Sequence, residues 1–177
     1  MSARTPLRSL DPVALARETV QEAIDRAHSL IMAVEPTWVQ RVEYGEREVP
    51  YEASALGHAV QCLTRYAQTG APLDAPLSEY LITLVGGAES ALDDSQTKEP
   101  STDLARIIAA AQARDDAERG DPVRAVGLAC LGDVHPVRVR QLVEGGELRA
   151  AERGYVRADD ARRWLAARGV VVEWWIR

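Results

Sequence analysis

Residues 121–169 read DPVRAVGLACLGDVHPVRVRQLVEGGELRAAERGYVRADDARRWLAARG, and this stretch decides the fold. Asp121-Pro122 offers an N-cap acceptor followed by a proline, whose missing N–H is no loss in a first helical turn. Val123, Val126, Ala129 and Cys130 then fall on one side of a short helix, which Gly132 is placed to end in the left-handed conformation. His135-Pro136 starts a second helix with Val139, Leu142 and Val143 inward, and Gly145-Gly146 closes it. Two short helices across a tight, glycine-containing turn make a helix-turn-helix. Leu148, Ala150, Tyr155 and Val156 flank Arg153-Gly154 and predict a small β-hairpin that turns at the glycine. Ala158-Asp159-Asp160 opens a last helix with its carboxylates at the positive end of the helix dipole. Trp164 and Leu165 anchor that helix, and Gly169 ends it.

In order and spacing this stretch resembles the excisionase-like and MerR-like winged helix-turn-helix domains. The residues that carry the resemblance are Val134 in the turn, Val139 and Leu142 in the second helix, Gly146-Glu147-Leu148 after it, and Asp160 with Trp164-Leu165 in the last helix. It covers under a third of the chain. Pro136 departs from the pattern, which has a serine or another small polar residue there. Asp133 and Glu144 add negative charge near where a phosphate would lie. The resemblance implies a second helix that enters the major groove of double-stranded DNA. It also implies a hairpin wing that meets an adjacent backbone or minor groove.

The residue types suit that role. With Val139 and Leu142 inward, Val137, Arg138 and Gln141 face outward and Arg140 lies at the border. Arginine pairs with guanine through two hydrogen bonds, and glutamine pairs with adenine in the same way. Arg149, Arg153 and Arg157 lie on or beside the wing, and Arg124 lies in the first turn of the first helix; all four suit phosphate contacts. One module offers only a handful of such contacts, so a homodimer reading two half-sites is expected.

Working outward, residues 1–10 read as a loose arm, residues 11–119 as a helical dimerisation or partner-binding domain, and residues 120–177 as the winged domain. Asp11-Pro12 starts a helix whose apolar stripe is Val13, Ala16, Val20, Ile24, Ala27, Ile31 and Val34, ended by Glu35-Pro36. Residues 36–51 break the helical spacing and suggest a short hairpin. A second helix carries Ala55, Leu56, Ala59, Val60, Leu63 and Ala67 and stops at Gly70. After the connector APLDAP, Leu77, Leu81, Leu84, Val85, Ala88 and Leu92 mark a third helix, weakened by Gly86-Gly87. Residues 93–102, DDSQTKEPST, read as a flexible polar loop. Ser101 or Thr102 caps a fourth helix with Leu104, Ile107, Ile108 and Ala111 inward, and its tail, ARDDAERGD, reads as solvated. The fold class is therefore mainly α, a helical part followed by a small winged helix-turn-helix with a short β-hairpin. The C-terminal VVVEWWIR alternates like a strand. It packs either on the winged domain or on another subunit, with Trp174, Trp175 and Ile176 as the anchors of such an interface.

Charge divides the chain. The net charge is −6 over 177 residues, yet residues 1–120 carry −8 and residues 121–177 carry +2. The acidic part would face away from DNA. Of the 21 basic residues only Lys98 is a lysine. No stretch approaches the roughly 18 uninterrupted apolar residues of a membrane span, and the N-terminus lacks the apolar run of a signal peptide, so a cytoplasmic protein is expected. His58 and Cys62 share a helix face but have no second ligand pair, and Cys130 reads as packing. Asp93-Asp94 and Asp115-Asp116 read as solvated helix ends. No nucleophile elbow, phosphate loop, dinucleotide fingerprint or zinc motif occurs. The sequence thus points to no enzyme, no catalytic residue, no metal and no cofactor. It points to a DNA-binding regulator of transcription, of bacterial, phage or mobile-element type. The alternative is a non-enzymatic scaffold that uses the winged domain for protein contacts.

Overall fold

The structure, a computed structural model, describes residues 5–34 and 54–170; of residues 28–34 it describes the backbone alone. The hairpin read into residues 36–51, and Trp174, Trp175 and Ile176, lie outside the described residues. The described chain is mainly helical, as the patterning predicts, and carries one small three-stranded antiparallel sheet.

Helix α1 spans Pro12–Val34, and the Asp11 carboxylate accepts from the Val13 N–H at 2.9 Å, as an N-cap should. Its buried side is led by Leu15, Ala16, Thr19 and Val20, while Val13 is half-buried and Ala27 exposed. Helix α2 spans Ala55–Thr69; the Ser54 hydroxyl accepts from the Gly57 N–H at 3.0 Å, and Gly70 ends the helix at a φ of 75°. The single helix read through residues 77–92 is two, α3 (Leu77–Val85) and α4 (Glu89–Ser95), parted at Gly86-Gly87. Gly87 lies so near α2 that a Cβ there would stand 2.6 Å from a Leu56 methyl.

Helix α5, Asp103–Arg119, is capped by the Thr102 hydroxyl, which accepts from the Ala105 N–H at 3.1 Å. It is buried on every side from Leu104 to Ala111, not along one stripe. Its alanines let α1, α2 and α4 approach from one side and the winged part from the other. The tail is not wholly solvated either. Arg114 is only 1% exposed; its Nη2 donates to the Ala67 carbonyl at 3.3 Å and its guanidinium stands 5.9 Å from the Tyr66 ring. The Tyr66 hydroxyl donates in turn to Glu118 at 2.5 Å. Burial and the Glu118 carboxylate push the Tyr66 hydroxyl far above its ordinary pKa.

Asp121-Pro122 does not open a helix. Val123–Arg124 forms strand β1, and helix α6, Ala125–Leu131, begins after it. The fully buried Val123 pairs with Val156 of β3 (Tyr155–Val156), and β3 pairs on its other edge with β2 (Ala150–Glu152). The two-stranded wing of the sequence reading thus gains a third strand, in the order β1-β3-β2. Helix α7 spans Pro136–Glu144 and α8 spans Ala158–Ala166. The turn between α6 and α7 works differently from expectation. Gly132 has a φ of −84°, and the left-handed residue is Asp133, at 51°. Gly132 serves another need: a Cβ there would lie 2.4 Å from the Trp164 ring.

Asp133 accepts the Leu7 N–H at 3.3 Å and stands 3.6 Å from Arg106 Nη2 of α5. Leu7 is 1% exposed in a short 3-10 turn, and Gln68 Nε2 donates to the carbonyls of Leu7 and Leu10 at 2.9 and 2.8 Å. Residues 7–10 are therefore docked, where the sequence suggests a loose arm. One buried cluster draws residues from both sides of residues 119 and 120, which are themselves exposed.

Candidate nucleic-acid interface

Helix α7 is oriented by its own sequence. His135 Nδ1 accepts from the Val137 N–H at 3.3 Å, and Pro136 follows at the first helical position. Val139 and Leu142 are buried against the core, which turns Val137, Arg138, Arg140 and Gln141 outward; Val137 is 42% exposed. Arg138 and Arg140, two residues apart, leave the helix on opposite flanks with Gln141 between them. Among the described residues, none of the three polar side chains makes a hydrogen bond or ion pair.

The wing stands beside α7. Arg153 and Gly154 form its turn, Gly154 with a φ of 86°, and Arg153 and Arg157 are exposed. Between α7 and the wing runs an open groove of about 790 Å³, lined by Arg140, Arg153, Arg124 and Lys98 and by Glu144 and Glu152. Four cations against two anions leave it positive, and neither glutamate pairs with Arg140 or Arg153 among the described residues.

Two of the arginines expected at DNA are already engaged within the protein. Arg149 donates from Nε and Nη2 to the two oxygens of Asp160, at 2.9 and 2.8 Å, and its backbone N–H reaches the same carboxylate at 2.8 Å. Arg163 pairs with Asp160 as well. The hydrogen bonds from Arg149 hold the buried Asp160 carboxyl well below the usual carboxylate range. Arg124, assigned from sequence to the first turn of a helix, lies on β1 and reaches back into the helical part. Its Nη1 donates to the Ser95 carbonyl at 3.1 Å and to Gln96 Oε1 at 2.9 Å, and its Nη2 donates to the Gln96 carbonyl. Of the residues proposed from sequence, the structure thus brings Arg140, Arg153 and Arg124 to one groove, while Arg138 and Gln141 lie elsewhere on the outward side of α7. It anchors Arg149 and Arg124.

Sequence reasoning missed Lys98, which enters the groove from the stretch read as a flexible loop. That stretch is tied down. The Asp94 carboxylate accepts from the Ser101 N–H and hydroxyl at 2.8 and 2.9 Å and from the Thr102 N–H at 3.0 Å, and these bonds lower its pKa despite a desolvation that opposes them. Glu99 meets His135 Nε2 at 3.1 Å. The signal was present in the capping pattern, an Asp seven and eight residues before Ser-Thr. The acidic pair at 115–116 is likewise not free: Arg119 reaches Asp115, Asp116 and Asp121, each at 3.1 Å, and burial raises the Asp116 carboxyl. His58 Nε2 lies 3.4 Å from Cys62 Sγ, and no group of three or more metal-binding side chains occurs among the described residues.

No family model, curated protein or solved structure matches the chain. No helix among the described residues is long and apolar enough to cross a membrane.

Proposed function

We propose that this chain is a sequence-specific DNA-binding protein, a dimeric regulator of transcription acting in the cytoplasm. The observation that carries the reading is the outward face of α7, where Arg138, Gln141 and Arg140 have no partner among the described residues and Arg140 shares a groove with Arg153 of the wing. Unpartnered arginines on a short exposed helix suit hydrogen bonding to base edges, and the wing arginines suit the backbone. The mechanism is non-covalent. Helix α7 reads the major groove, Arg153 and Arg157 hold phosphates, and a second copy supplies a second half-site. Most of the acidic helical part, with its −8 charge, is turned away from the duplex.

A second reading, a scaffold that binds protein, is favoured by one observation: Ile82 and Val85 of α3 are 70% and 55% exposed. Binding to random-sequence duplex across a salt series separates the two. DNA binding requires an affinity that falls with salt, and a shallower slope in an Arg140→Ala/Arg153→Ala variant. Absence of binding at low salt turns the case to the scaffold.

A further inference from the structure

The groove beside α7 is not built from the winged part alone. Lys98 lines it from the helical half, across from Arg140 and Arg153. It is exposed, and it makes no hydrogen bond or ion pair among the described residues. The loop that carries it is nonetheless anchored at four points. Arg124 holds Ser95 and Gln96 from β1. Gln96 Nε2 donates to Gln112 of α5 at 3.2 Å. Glu99 meets His135 at the start of α7, and Asp94 gathers Ser101 and Thr102. Pro100 is buried. These bonds fix the connection between α4 and α5, and they leave the chain's one lysine exposed at the groove.

We infer that the 96–101 loop is a third DNA-contacting element, in which Lys98 meets a backbone phosphate and Arg124 is its positioning residue. The inference rests on the DNA-binding reading and adds to it a contact from outside the winged part. An ammonium on a flexible stem is a point charge that suits phosphate rather than a base edge. Fixing the loop in advance removes part of the ordering entropy that binding would otherwise have to overcome. It also changes the meaning of Arg124: the residue serves DNA binding through Lys98, without touching phosphate itself.

The test uses the full chain and random-sequence duplex DNA, with log affinity followed against log salt. One phosphate contact contributes about −0.9 to that slope. Lys98→Ala is expected to make the slope shallower by about that amount for each copy of the chain bound and to lower affinity, while Lys98→Arg keeps both. Lys98 is exposed, so these variants are expected to fold, which a thermal melt verifies. Arg124→Ala is expected to reproduce the loss, and Lys98→Ala/Arg124→Ala to be no worse than Lys98→Ala alone, because the two act in series. If Lys98→Ala leaves slope and affinity unchanged while Arg153→Ala makes the slope shallower and lowers affinity, the loop's role is overturned and the winged-domain reading stands. If losses from Lys98 and Arg124 add, the positioning role is overturned. If the wild type shows no salt-dependent binding, both readings fall together.

Discussion

Arg149 and Asp160 form a two-toothed ion pair at the root of the wing, with a third bond from the Arg149 backbone N–H to the same carboxylate. The loop after α7 is thereby fastened to the first turn of α8. The Asp160 carboxyl titrates below its unfolded value, which is about 3.9. The stability it contributes is therefore present above about pH 4 and is lost as pH falls through the depressed folded value. Asp160→Asn should lower the urea midpoint at pH 7, and the gap from wild type should narrow toward pH 2. A gap of constant size over that range would contradict the assignment.

The same pair predicts what Arg149→Ala does. Its guanidinium is already occupied, so the variant should melt earlier with the salt slope of DNA binding unaltered. A shallower slope in a fully folded Arg149→Ala protein would return this arginine to the set that meets phosphate.

Two glycines make close approaches rather than turns. At Gly127 a Cβ would lie 2.4 Å from the Ala109 carbonyl oxygen, a backbone atom that cannot step aside. At Gly132 the obstacle is the Trp164 ring, also at 2.4 Å. Gly132→Ala should cost about 1–3 kcal/mol, the usual range for overpacking, and Gly127→Ala more. Chemical denaturation orders them, and Trp164→Leu should relieve Gly132→Ala but leave Gly127→Ala unimproved.

Tyr66→Phe removes the hydroxyl that donates to Glu118 and leaves that half-buried carboxylate without its hydrogen bond. Loss of one such bond to a charged partner costs about 1.5–3 kcal/mol. Denaturant midpoints should register it, while DNA affinity measured well below the transition stays at the wild-type value.

On α7, Arg138→Ala and Gln141→Ala should each relax preference at one base pair, by about 1–3 kcal/mol of discrimination for a two-bond contact. Selection of binding sites from a random pool shows the loss. A uniform loss across all sequences would move either residue from base reading to the backbone.

Much of the fold was legible because it is written in local spacing and in caps. Asp11, Gly70 and Thr102 mark helix ends at the expected places, and Val139 with Leu142 sets the rotation of α7. What escaped depends on distant partners. Strand β1 forms because Val123 meets Val156, 33 positions on, and a proline before it looks the same before a helix. Arg114 sits in a run that reads as solvent-facing, and only the packing of α2 onto α5 buries it. The site divides in the same way. The outward residues of α7 follow from helical period, whereas the placing of Arg149, Arg124 and Lys98 depends on Asp160, Gln96 and the groove wall, which lie far away in sequence.

The burial of α5 on all sides reaches beyond stability. Ala109 touches Gly127 backbone to backbone, so the helical part and the winged part share one core with no pivot between them. Two copies joined through their helical parts would then act as a caliper with fixed jaws. Inserting about half a helical turn between two half-sites, roughly 5 bp, would carry one jaw to the wrong side of the duplex, and no swivel could follow it.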